Sequence, residues 1–477
     1  MKVTFITPHV GRKSAKEYVR TWQMEPLTIA TLAGLTPDDV EIAYFDERIE
    51  PICFDEATDL AAITVETYTA KRAYEIAAEY HRRGVLTILG GYHVTLVPEE
   101  AELYADSILT GYAEPLWAQV IADARRKQLR RRYTFDPSQP YTYARPRRDL
   151  FEGKPYFNLS CVETGRGCPL YCNFCSIAAA TGSRYHARPI DSVVAEIAEL
   201  RHRTLFFVED NFVGNLAHAR ELCREITPLK VRWVGQGTLN MARDESLLRV
   251  MADSGCAGIL IGFESLRHDT LSLMDKQINV AMGDYKTLID RLHAHGIALY
   301  GTFIFGYDSE SAEDVLRTAE QAIEFGLFIG AFNHLMPFPG TPLYRDFRAA
   351  GRLSDEQWWL SPTFRFGDIP FDPLHVTSQE LHELCLEARR RFYSVRGIAK
   401  RAKNVRGNCT TVKKAGAFLS VNALLRKEIG QKDGLPLGNE PVRPRPWSWP
   451  GAGLPGLPVA RSPGRPVSRP PGNRVTG

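Results

Sequence analysis

The sequence lacks any apolar run near the roughly 20 residues that a membrane-spanning helix needs. Its first seven residues also lack the long apolar core of a secretion signal. Both absences favour a cytoplasmic protein, in which the nine cysteines would stay reduced. Hydrophobic residues make up 44% and charged residues 24% of the 477 positions, which is ordinary for a globular protein of two or three domains.

Acidic residues are almost absent from the end of the chain. Residues 434–477 contain 11 Pro, 8 Gly and 6 Arg but a single acid, Glu440. This stretch contributes +5 to a net charge of +3, so the remainder carries about −2 and offers no whole-molecule basic field for nucleic acid. The stretch has too little apolar surface to offset the entropy lost on ordering, and we expect it to be a disordered, dispensable tail.

A second basic stretch, residues 125–132, leaves two interpretations open. It could attract RNA, or it could be the solvated end of a helix and the start of a linker. No appended RNA-binding domain is recognisable in the sequence. Nucleic acid is therefore not the expected partner, although an RNA-modifying activity stays open as an alternative.

Three cysteines lie close together in the middle of the chain. Cys168, Cys172 and Cys175 have the spacing C-x3-C-x2-C, and Phe174 stands just before the last of them. Three thiolates can hold three irons of a [4Fe-4S] cluster and leave the fourth iron open to another ligand. A zinc site would need a fourth ligand nearby, and His186 lies eleven residues beyond Cys175. Three buried thiols are the remaining alternative.

This cysteine motif resembles that of the radical S-adenosylmethionine (SAM) enzymes. In that family the amino and carboxylate groups of SAM chelate the open iron. The resemblance implies a [4Fe-4S] cluster on the three cysteines, with SAM bound beside it and Phe174 at the cofactor site. It also implies an electron donor such as flavodoxin or ferredoxin.

Residues 1–125 alternate short apolar runs with amphipathic stretches, such as the helical pattern over residues 70–83. Such alternation predicts a doubly wound, Rossmann-like parallel sheet, whose ligands lie beyond the carboxyl ends of the strands. Glycines, which allow a backbone to approach a ligand closely, follow two of the predicted strands. The strands are predicted at residues 3–6, 40–45, 60–65, 85–89 and 107–110.

This region resembles the cobalamin-binding domain that precedes many radical SAM cores. The resemblance rests on the element order, on Gly-Gly-x-His after the fourth strand and on Gly-x-x-Glu after the fifth. It implies that Gly90, Gly91, His93 and Gly111 contact cobalamin. The Asp-x-His-x-x-Gly signature of other cobalamin proteins is absent, since His9 has no such Asp before it, so cobalt would bind without a protein histidine. A degenerate domain that binds nothing is the alternative.

The middle of the chain has the pattern of a second domain. Residues 126–155, which contain several prolines, are predicted to form a linker, and residues 156–353 the catalytic core. Six βα units are too few for a full eight-stranded barrel. They are similar to the open, partial (β/α)6 barrel of the radical SAM fold. The strands are predicted at residues 158–162, 204–208, 232–235, 258–262, 298–305 and 331–336.

Polar side chains stand at the ends of these strands, where they could bind the charged and hydroxylated parts of SAM. Glu209 and Asn211 follow the second strand, Gln236 the third and Glu264 the fourth. The family resemblance places the first two near the SAM amino group and Glu264 near the ribose, and it includes Gln236 in the cofactor site. Any one acid alone is typical of a solvated loop, but several in barrel order favour a SAM site.

Residues 354–433 are predicted to be mainly helical, with an amphipathic stripe over residues 381–392. A dense group of aromatic residues precedes this stripe at positions 358–366. The group would form either a hydrophobic seam between domains or the wall of a cavity for an apolar or aromatic substrate. The sequence does not decide between them.

The resemblance as a whole implies a cobalamin-dependent radical SAM enzyme. We expect it to methylate an unactivated carbon of a small metabolite through a 5′-deoxyadenosyl radical. Tetrapyrroles, polycyclic lipids and antibiotic intermediates are the substrate classes that the resemblance suggests. Oxidation, cyclisation or rearrangement with the same cofactors stays open, as does a non-catalytic iron–sulfur protein, and the sequence names no further catalytic side chain.

The three cysteines give a first prediction. Replacing Cys168, Cys172 or Cys175 by Ala should remove the cluster and all reductive SAM cleavage, because each thiolate holds a different iron. Iron content and 5′-deoxyadenosine formation measure this. Replacing Cys223 or Cys256 should leave the iron content near wild type, and full iron with full activity in Cys175→Ala would show the assignment to be wrong.

Overall fold

The first third of the chain forms a six-stranded, all-parallel sheet in the computed structural model, which describes residues 1–11, 19, 23–136 and 141–439. The strand order β2-β1-β3-β4-β5-β6 reverses direction at β1, as in a doubly wound fold. The strands are β1 (Lys2–Thr7), β2 (Glu41–Asp46), β3 (Leu60–Thr64), β4 (Leu86–Gly90), β5 (Ser107–Thr110) and β6 (Arg132–Thr134).

Helices cover both faces of this sheet, which is why β1 and β3 read as continuous apolar runs. The longest of them buries Ala73, Ile76, Ala77 and Tyr80 on one side, at the spacing of an amphipathic helix. The helices are α1 (Leu27–Gly34), α2 (Ala70–Arg82), α3 (Tyr92–Leu96), α4 (Pro98–Ala101) and α5 (Trp117–Arg125).

A second six-stranded parallel sheet follows. Each new strand adds beside the one before it, in the order β7-β10-β11-β12-β13-β14, so the predicted run of six βα units is confirmed. A small antiparallel hairpin of β8 (Gly165–Gly167) and β9 (Tyr185–Ala187) lies apart from this sheet. The sheet strands are β7 (Ser160–Val162), β10 (Thr204–Phe207), β11 (Arg232–Gly237), β12 (Cys256–Glu264), β13 (Ala298–Phe305) and β14 (Ile329–His334).

Most helices of this second domain bury an apolar face against the sheet, around one large core, whereas α6 buries no residue. They are α6 (Ser176–Thr181), α7 (Ile190–Glu199), α8 (Leu216–Ile226), α9 (Glu245–Asp253), α10 (His268–Leu273), α11 (Gln277–Val280), α12 (Tyr285–Ala294), α13 (Ala312–Glu324) and α14 (Pro342–Ala349). No helix of the described residues is long and apolar enough to cross a membrane.

The C-terminal region is helical, as predicted. Its first helix begins at a capping box, in which the Thr377 side chain accepts from the Glu380 amide and Glu380 accepts from the Thr377 amide. The helices are α15 (Ser378–Phe392), α16 (Val395–Ala402), α17 (Val405–Asn408) and α18 (Val412–Glu428).

The aromatic group before α15 forms the predicted seam between domains. Trp358 and Trp359 are buried in a core that also contains residues of the first domain. The carboxylate of Glu100, in α4, accepts from the Trp359 indole at 3.0 Å and from the Tyr74 hydroxyl at 2.9 Å. Tyr68 packs on Trp358 with ring centroids 5.3 Å apart. The seam therefore joins the C-terminal region to the first domain.

Two boundaries differ from the sequence prediction. Strand β6 lies inside the predicted linker and pairs with β5, because Tyr133 buries its ring in the core of the first domain. The basic residues around it pair with local acids, as Arg132 does with Glu102 at 2.7 Å and Arg125 with Asp39 at 2.6 Å. This pairing favours the solvated helix end over an RNA-binding surface.

The predicted start of the tail at Gly434 is wrong, because residues 434–439 pack on the folded body. Leu435 and Leu437 are buried, and the Phe366 amide donates to the Leu435 carbonyl oxygen at 2.8 Å. The Asn439 amide donates to Glu75 in the first domain at 2.7 Å. The remainder of the predicted tail, residues 440–477, lies outside the described residues.

Two truncations test this correction. A chain that ends at Asp433 should lose about 3 kcal/mol of unfolding free energy or more, since it exposes the sites that two buried leucines fill. A chain that ends at Asn439 keeps those contacts and should unfold near the full-length midpoint. Urea unfolding of both measures the difference, and equal midpoints would contradict a structural role for residues 434–439.

Candidate functional site

The three cysteines lie on the loop between β8 and α6. Asn211 donates from its side-chain nitrogen to the Cys168 sulfur at 3.6 Å, and the Leu170 amide also points a hydrogen bond at that sulfur. The Cys175 sulfur accepts from the amides of Ile177 and Ala178, in the first turn of α6. Hydrogen bonds to the sulfurs stabilise thiolates and tune iron–sulfur clusters. The loop is therefore built to present sulfur ligands.

Burial raises the pKa of all three thiols, and that of Cys172 to about 12. Binding of iron to these thiols would deprotonate them. Within the described ranges, no three His, Cys, Asp or Glu side chains are grouped so that they could hold one metal ion. A cluster places each thiolate on a different iron and does not need the sulfurs to converge on one atom.

A buried ion pair stands beside the cysteines. Lys276 donates to Glu264 at 2.7 Å, and both side chains are less than a tenth exposed. Burial opposes the charge of Lys276, but Glu264 and the nearby Cys172 raise its pKa overall. Gly262 leaves the room for this pair, because a Cβ there would lie 2.1 Å from the carboxylate oxygen. Glu264 itself has a φ of 61°, which strains a non-glycine residue, at a register shift in β12.

Acidic side chains follow β10, at the carboxyl end of the sheet. Asp210 accepts from the Gly167 amide at 2.9 Å and so positions the start of the cysteine loop. Glu209 is buried, and the Thr164 backbone amide acts on its carboxylate. Neither carboxylate oxygen makes a hydrogen bond of ordinary geometry among the described residues. Burial, followed by the charges of Glu163 and Asp210, raises its pKa well above the ordinary value. Unpartnered buried oxygens mark a place that a ligand would complete.

The first cavity, of about 400 Å³, lies between the two domains. On one side are the carboxyl ends of β3, β4 and β5, and on the other are Glu209, Asp210 and residues 180–181 of α6, the helix that follows Cys175. The Tyr112 hydroxyl near this cavity is buried and has no hydrogen-bond partner among the residues that the structure describes. No histidine is among the residues that line the cavity in the described part of the chain.

The predicted glycines line this cavity in different ways. Gly91 has a φ of 119°, and a Cβ on it would lie 2.6 Å from the Val65 carbonyl oxygen, so the turn itself needs glycine there. Gly111 is likewise left-handed, with Phe135 filling the space of a Cβ. Gly90 is free of both constraints, since its Cβ would meet only ordinary contacts near 3.8 Å. Of the three, Gly90 alone is open toward the cavity without a folding requirement.

The predicted contact between His93 and the cofactor is corrected by the structure. His93 is fully buried and does not line the first cavity. Its Nδ1 lies 3.2 Å from the Thr67 hydroxyl and its Nε2 lies 3.1 Å from Glu100. The ring also packs edge-on against Trp359 at 5.5 Å. His93 therefore belongs to the aromatic seam, whose partners lie far from it in the sequence.

A second cavity, of about 470 Å³, opens between the barrel and the C-terminal helices. Phe174, the aromatic residue before Cys175, lines it, together with the inward-facing Tyr300 and Ile304 of β13. Phe366 of the aromatic group also lines this cavity. Gln236 lies in β11, where its carbonyl oxygen accepts from the Phe212 amide at 2.8 Å, and its side chain lines neither cavity.

Sequence reasoning missed the polar network that joins the two domains at the first cavity. Arg166 donates to Glu114 of the first domain at 2.9 Å and to Glu163 at 2.7 Å. The Tyr141 hydroxyl donates to Glu114 at 2.9 Å, and its ring lies 4.5 Å from the Arg166 guanidinium. Lys276 was missed as well. The Glu–x–x–Arg pair just before Cys168 is the one local signal that could have drawn attention to this network.

Comparisons with known proteins agree with this geometry. Residues 162–322 match the family model described as the radical SAM superfamily. The bacteriochlorophyllide d C-12(1)-methyltransferase of Chlorobaculum tepidum is 28% identical over 79% of this chain and 84% of its own length. The anaerobic magnesium-protoporphyrin IX monomethyl ester cyclase of Cereibacter sphaeroides is 26% identical over 83% of this chain and 71% of its own.

A solved structure shares the whole architecture. The radical SAM methyltransferase TsrM from Kitasatospora setae, with cobalamin and a [4Fe-4S] cluster bound, aligns with a TM-score of 0.59 at 16% identity, over 89% of this chain and 98% of that one. The chain therefore shares the two-domain fold of that structure. The prediction of a radical SAM enzyme is confirmed.

The buried ion pair gives a prediction about stability. Lys276→Met should lower the unfolding free energy by about 3–5 kcal/mol, because it leaves the Glu264 carboxylate buried without a counter-charge. Adding Glu264→Gln to that variant should recover most of the loss. Urea unfolding measures all three proteins.

The exposed pair of Lys286 and Asp290 supplies the control, since both side chains are about half exposed. Lys286→Met should change the unfolding free energy by about 0.5 kcal/mol or less. If Lys276→Met lowered the unfolding free energy as little as Lys286→Met does, the buried pair would not stabilise the site.

Proposed function

We propose that the protein is a cobalamin-dependent radical SAM methyltransferase that acts on an unactivated carbon of a small molecule. One observation carries this proposal. The first cavity extends from the carboxyl ends of the Rossmann-like sheet to residues 180–181 of α6, the helix that follows Cys175. A ligand bound there on the first domain would therefore lie beside the helix that follows the cluster loop.

The residues present fit the implied cofactors. Cys168, Cys172 and Cys175 would hold a [4Fe-4S] cluster, on the hydrogen-bond donors described above. When bound, the cluster would supply the electron that cleaves SAM to a 5′-deoxyadenosyl radical, and cobalamin would carry the methyl group. Gly90, Gly91 and Gly111 would let cobalamin approach the backbone. No histidine of the described residues lines this cavity.

The chain's own residues would bind and orient SAM. We propose that Glu209 and Asn211 receive the SAM amino group, that Glu264 holds the ribose hydroxyls and that Phe174 covers the cluster side. The unpartnered oxygens of Glu209 and of the Asn211 amide support this, because an ammonium group would satisfy them. We propose that Gln236 also contacts the bound SAM, on the side away from the cluster. The buried pair of Glu264 and Lys276 would exclude water and unpaired charges from the surroundings of the sulfurs.

A second candidate is oxidative cyclisation with the same cofactors. The specific observation behind it is the similarity to the magnesium-protoporphyrin IX monomethyl ester cyclase, which covers most of both chains. Both activities would begin with the same radical, so they differ only in what the substrate radical does next. Formation of S-adenosylhomocysteine separates them.

We further propose that the enzyme works in the reducing cytoplasm and receives electrons from flavodoxin or ferredoxin. All nine cysteines, every one of them within the described residues, are free thiols. This suits a compartment that keeps thiols reduced.

Anaerobic reconstitution tests the proposal. The protein is loaded with iron and sulfide, with or without hydroxocobalamin, and then given SAM and a reductant. 5′-Deoxyadenosine should form whenever the cluster is present, and S-adenosylhomocysteine should form only when cobalamin is present too. Formation of 5′-deoxyadenosine without cobalamin-dependent formation of S-adenosylhomocysteine would contradict methyl transfer and favour the cyclase-type reaction.

Gly90 allows a specific test of cobalamin binding. Gly90→Leu should reduce cobalamin affinity at least tenfold while iron content stays unchanged, because the new side chain enters the first cavity without a backbone clash. Cobalamin absorbance and iron analysis of the reconstituted protein measure both quantities. Gly416→Leu is the matched control, since a Cβ there meets nothing within 4 Å and lies far along the chain in α18. Full cobalamin retention in Gly90→Leu would favour a first domain that binds nothing.

A further inference from the structure

The second cavity combines an apolar wall with one uncompensated cation. Its wall is mostly aromatic and aliphatic and reaches from Phe174, beside the cysteines, down to the middle of β13 and β14. Such walls favour apolar, ring-containing ligands. The aromatic members are Tyr68, Phe174, Tyr300, Phe338, Phe366 and Tyr393.

Arg389, in α15, is the uncompensated cation. Its Nε donates to the Phe332 carbonyl oxygen at 3.0 Å and one terminal nitrogen donates to the Asn333 side-chain oxygen at 2.9 Å. Both acceptors are neutral, and the other terminal nitrogen makes no hydrogen bond within the described part of the chain. No carboxylate of the described residues forms an ion pair with Arg389. A partly buried guanidinium without a counter-charge is unusual and calls for an anion.

The two acids that line the same cavity have other partners. Asp433 lies 3.8 Å from His382 Nε2. Glu428 and Asp433 both act on Lys432, although burial and the nearby charge of Arg389 outweigh them and lower the pKa of that lysine to about 8. His334 adds no charge at neutral pH, because burial lowers its pKa to about 4. Arg389 therefore remains as the charge that a ligand would meet.

We infer that the second cavity binds a substrate with an apolar, ring-containing body and a carboxylate, and that Arg389 receives the carboxylate. A carboxylate suits the site better than a phosphate, because a single guanidinium with two of its donors already engaged balances one negative charge and not two. That the bound acid is a substrate depends on the proposed function, whereas the acid-binding site depends on this cavity alone. Phe174 would then place the far end of the ring body next to the cluster loop.

A pair of matched probes tests the inference on the reconstituted protein. Pyrenebutyrate carries an apolar ring system and a carboxylate, and pyrenebutanol differs only in having a neutral alcohol. Fluorescence titration should give one saturable site that binds the acid at least tenfold more tightly than the alcohol, which is about 1.4 kcal/mol. Equal affinities for the two probes would overturn the inference, and so would competitive displacement of pyrenebutyrate by SAM, which would assign the cavity to SAM.

Variants of Arg389 test whether this side chain distinguishes the acid probe from the alcohol probe. Arg389→Gln should lower the affinity for the acid to that for the alcohol, and should change the affinity for the alcohol by no more than about twofold. Arg389→Lys should keep most of the preference for the acid, because it keeps the positive charge. The neighbouring Arg390→Gln is the control, since Arg390 is exposed and only loosely paired with Glu383 and Glu387. Equal effects of the two Gln variants would overturn the assignment to Arg389.

Two measurements on the same samples separate this inference from the proposed function. Iron content shows that each variant is folded and loaded, and 5′-deoxyadenosine formation reports the radical chemistry. A protein that discriminates the probes but never cleaves SAM would contradict the proposed function and leave the acid site standing. A protein that cleaves SAM but binds both probes alike would overturn the acid site alone.

Discussion

The structure depends on one polar contact between two parallel sheets that face each other with their carboxyl ends. Arg166, two residues before the first cluster cysteine, bridges Glu163 of its own domain and Glu114 of the first domain. Truncating any of these three side chains would leave a buried charge without a partner. The loss of stability would be far larger than the stability that the ion pair adds over apolar packing. The contact therefore fixes how the domains meet, and it holds the first cavity between the glycine turns and α6.

One cavity lies beside α6, the helix that follows the cysteine loop, and the other includes Phe174 of that loop. Each cavity has its own chemistry. The first lies against glycine turns and unpartnered acidic oxygens, which suits a large cofactor and the polar end of SAM. The second lies against aromatic rings and Arg389, which suits an apolar acid. The aromatic seam around Trp358 ties the C-terminal helices to the first domain.

Strands and cysteines could be read from the sequence because their signals are local. β13 lies where the apolar run of residues 298–305 predicts it, and the three cysteines share one loop, as their spacing requires. His93 was misassigned because its partners, Thr67, Glu100 and Trp359, approach it only in the folded chain. Leu435 and Leu437 were overlooked because two leucines scarcely change the composition of a Pro- and Gly-rich stretch.

By itself the sequence determined the order of the elements, the parallel sheets and the cluster ligands, since each follows from residues within a few positions of one another. Only the tertiary structure decided which charges are paired. Lys276 and Glu264 are twelve residues apart, and Arg166 and Glu114 fifty-two, so no local pattern links them. Burial then sets the cost of leaving any such charge alone. That is why Arg389, unremarkable in a run of three arginines, stands out as a ligand-binding residue only once its surroundings are known.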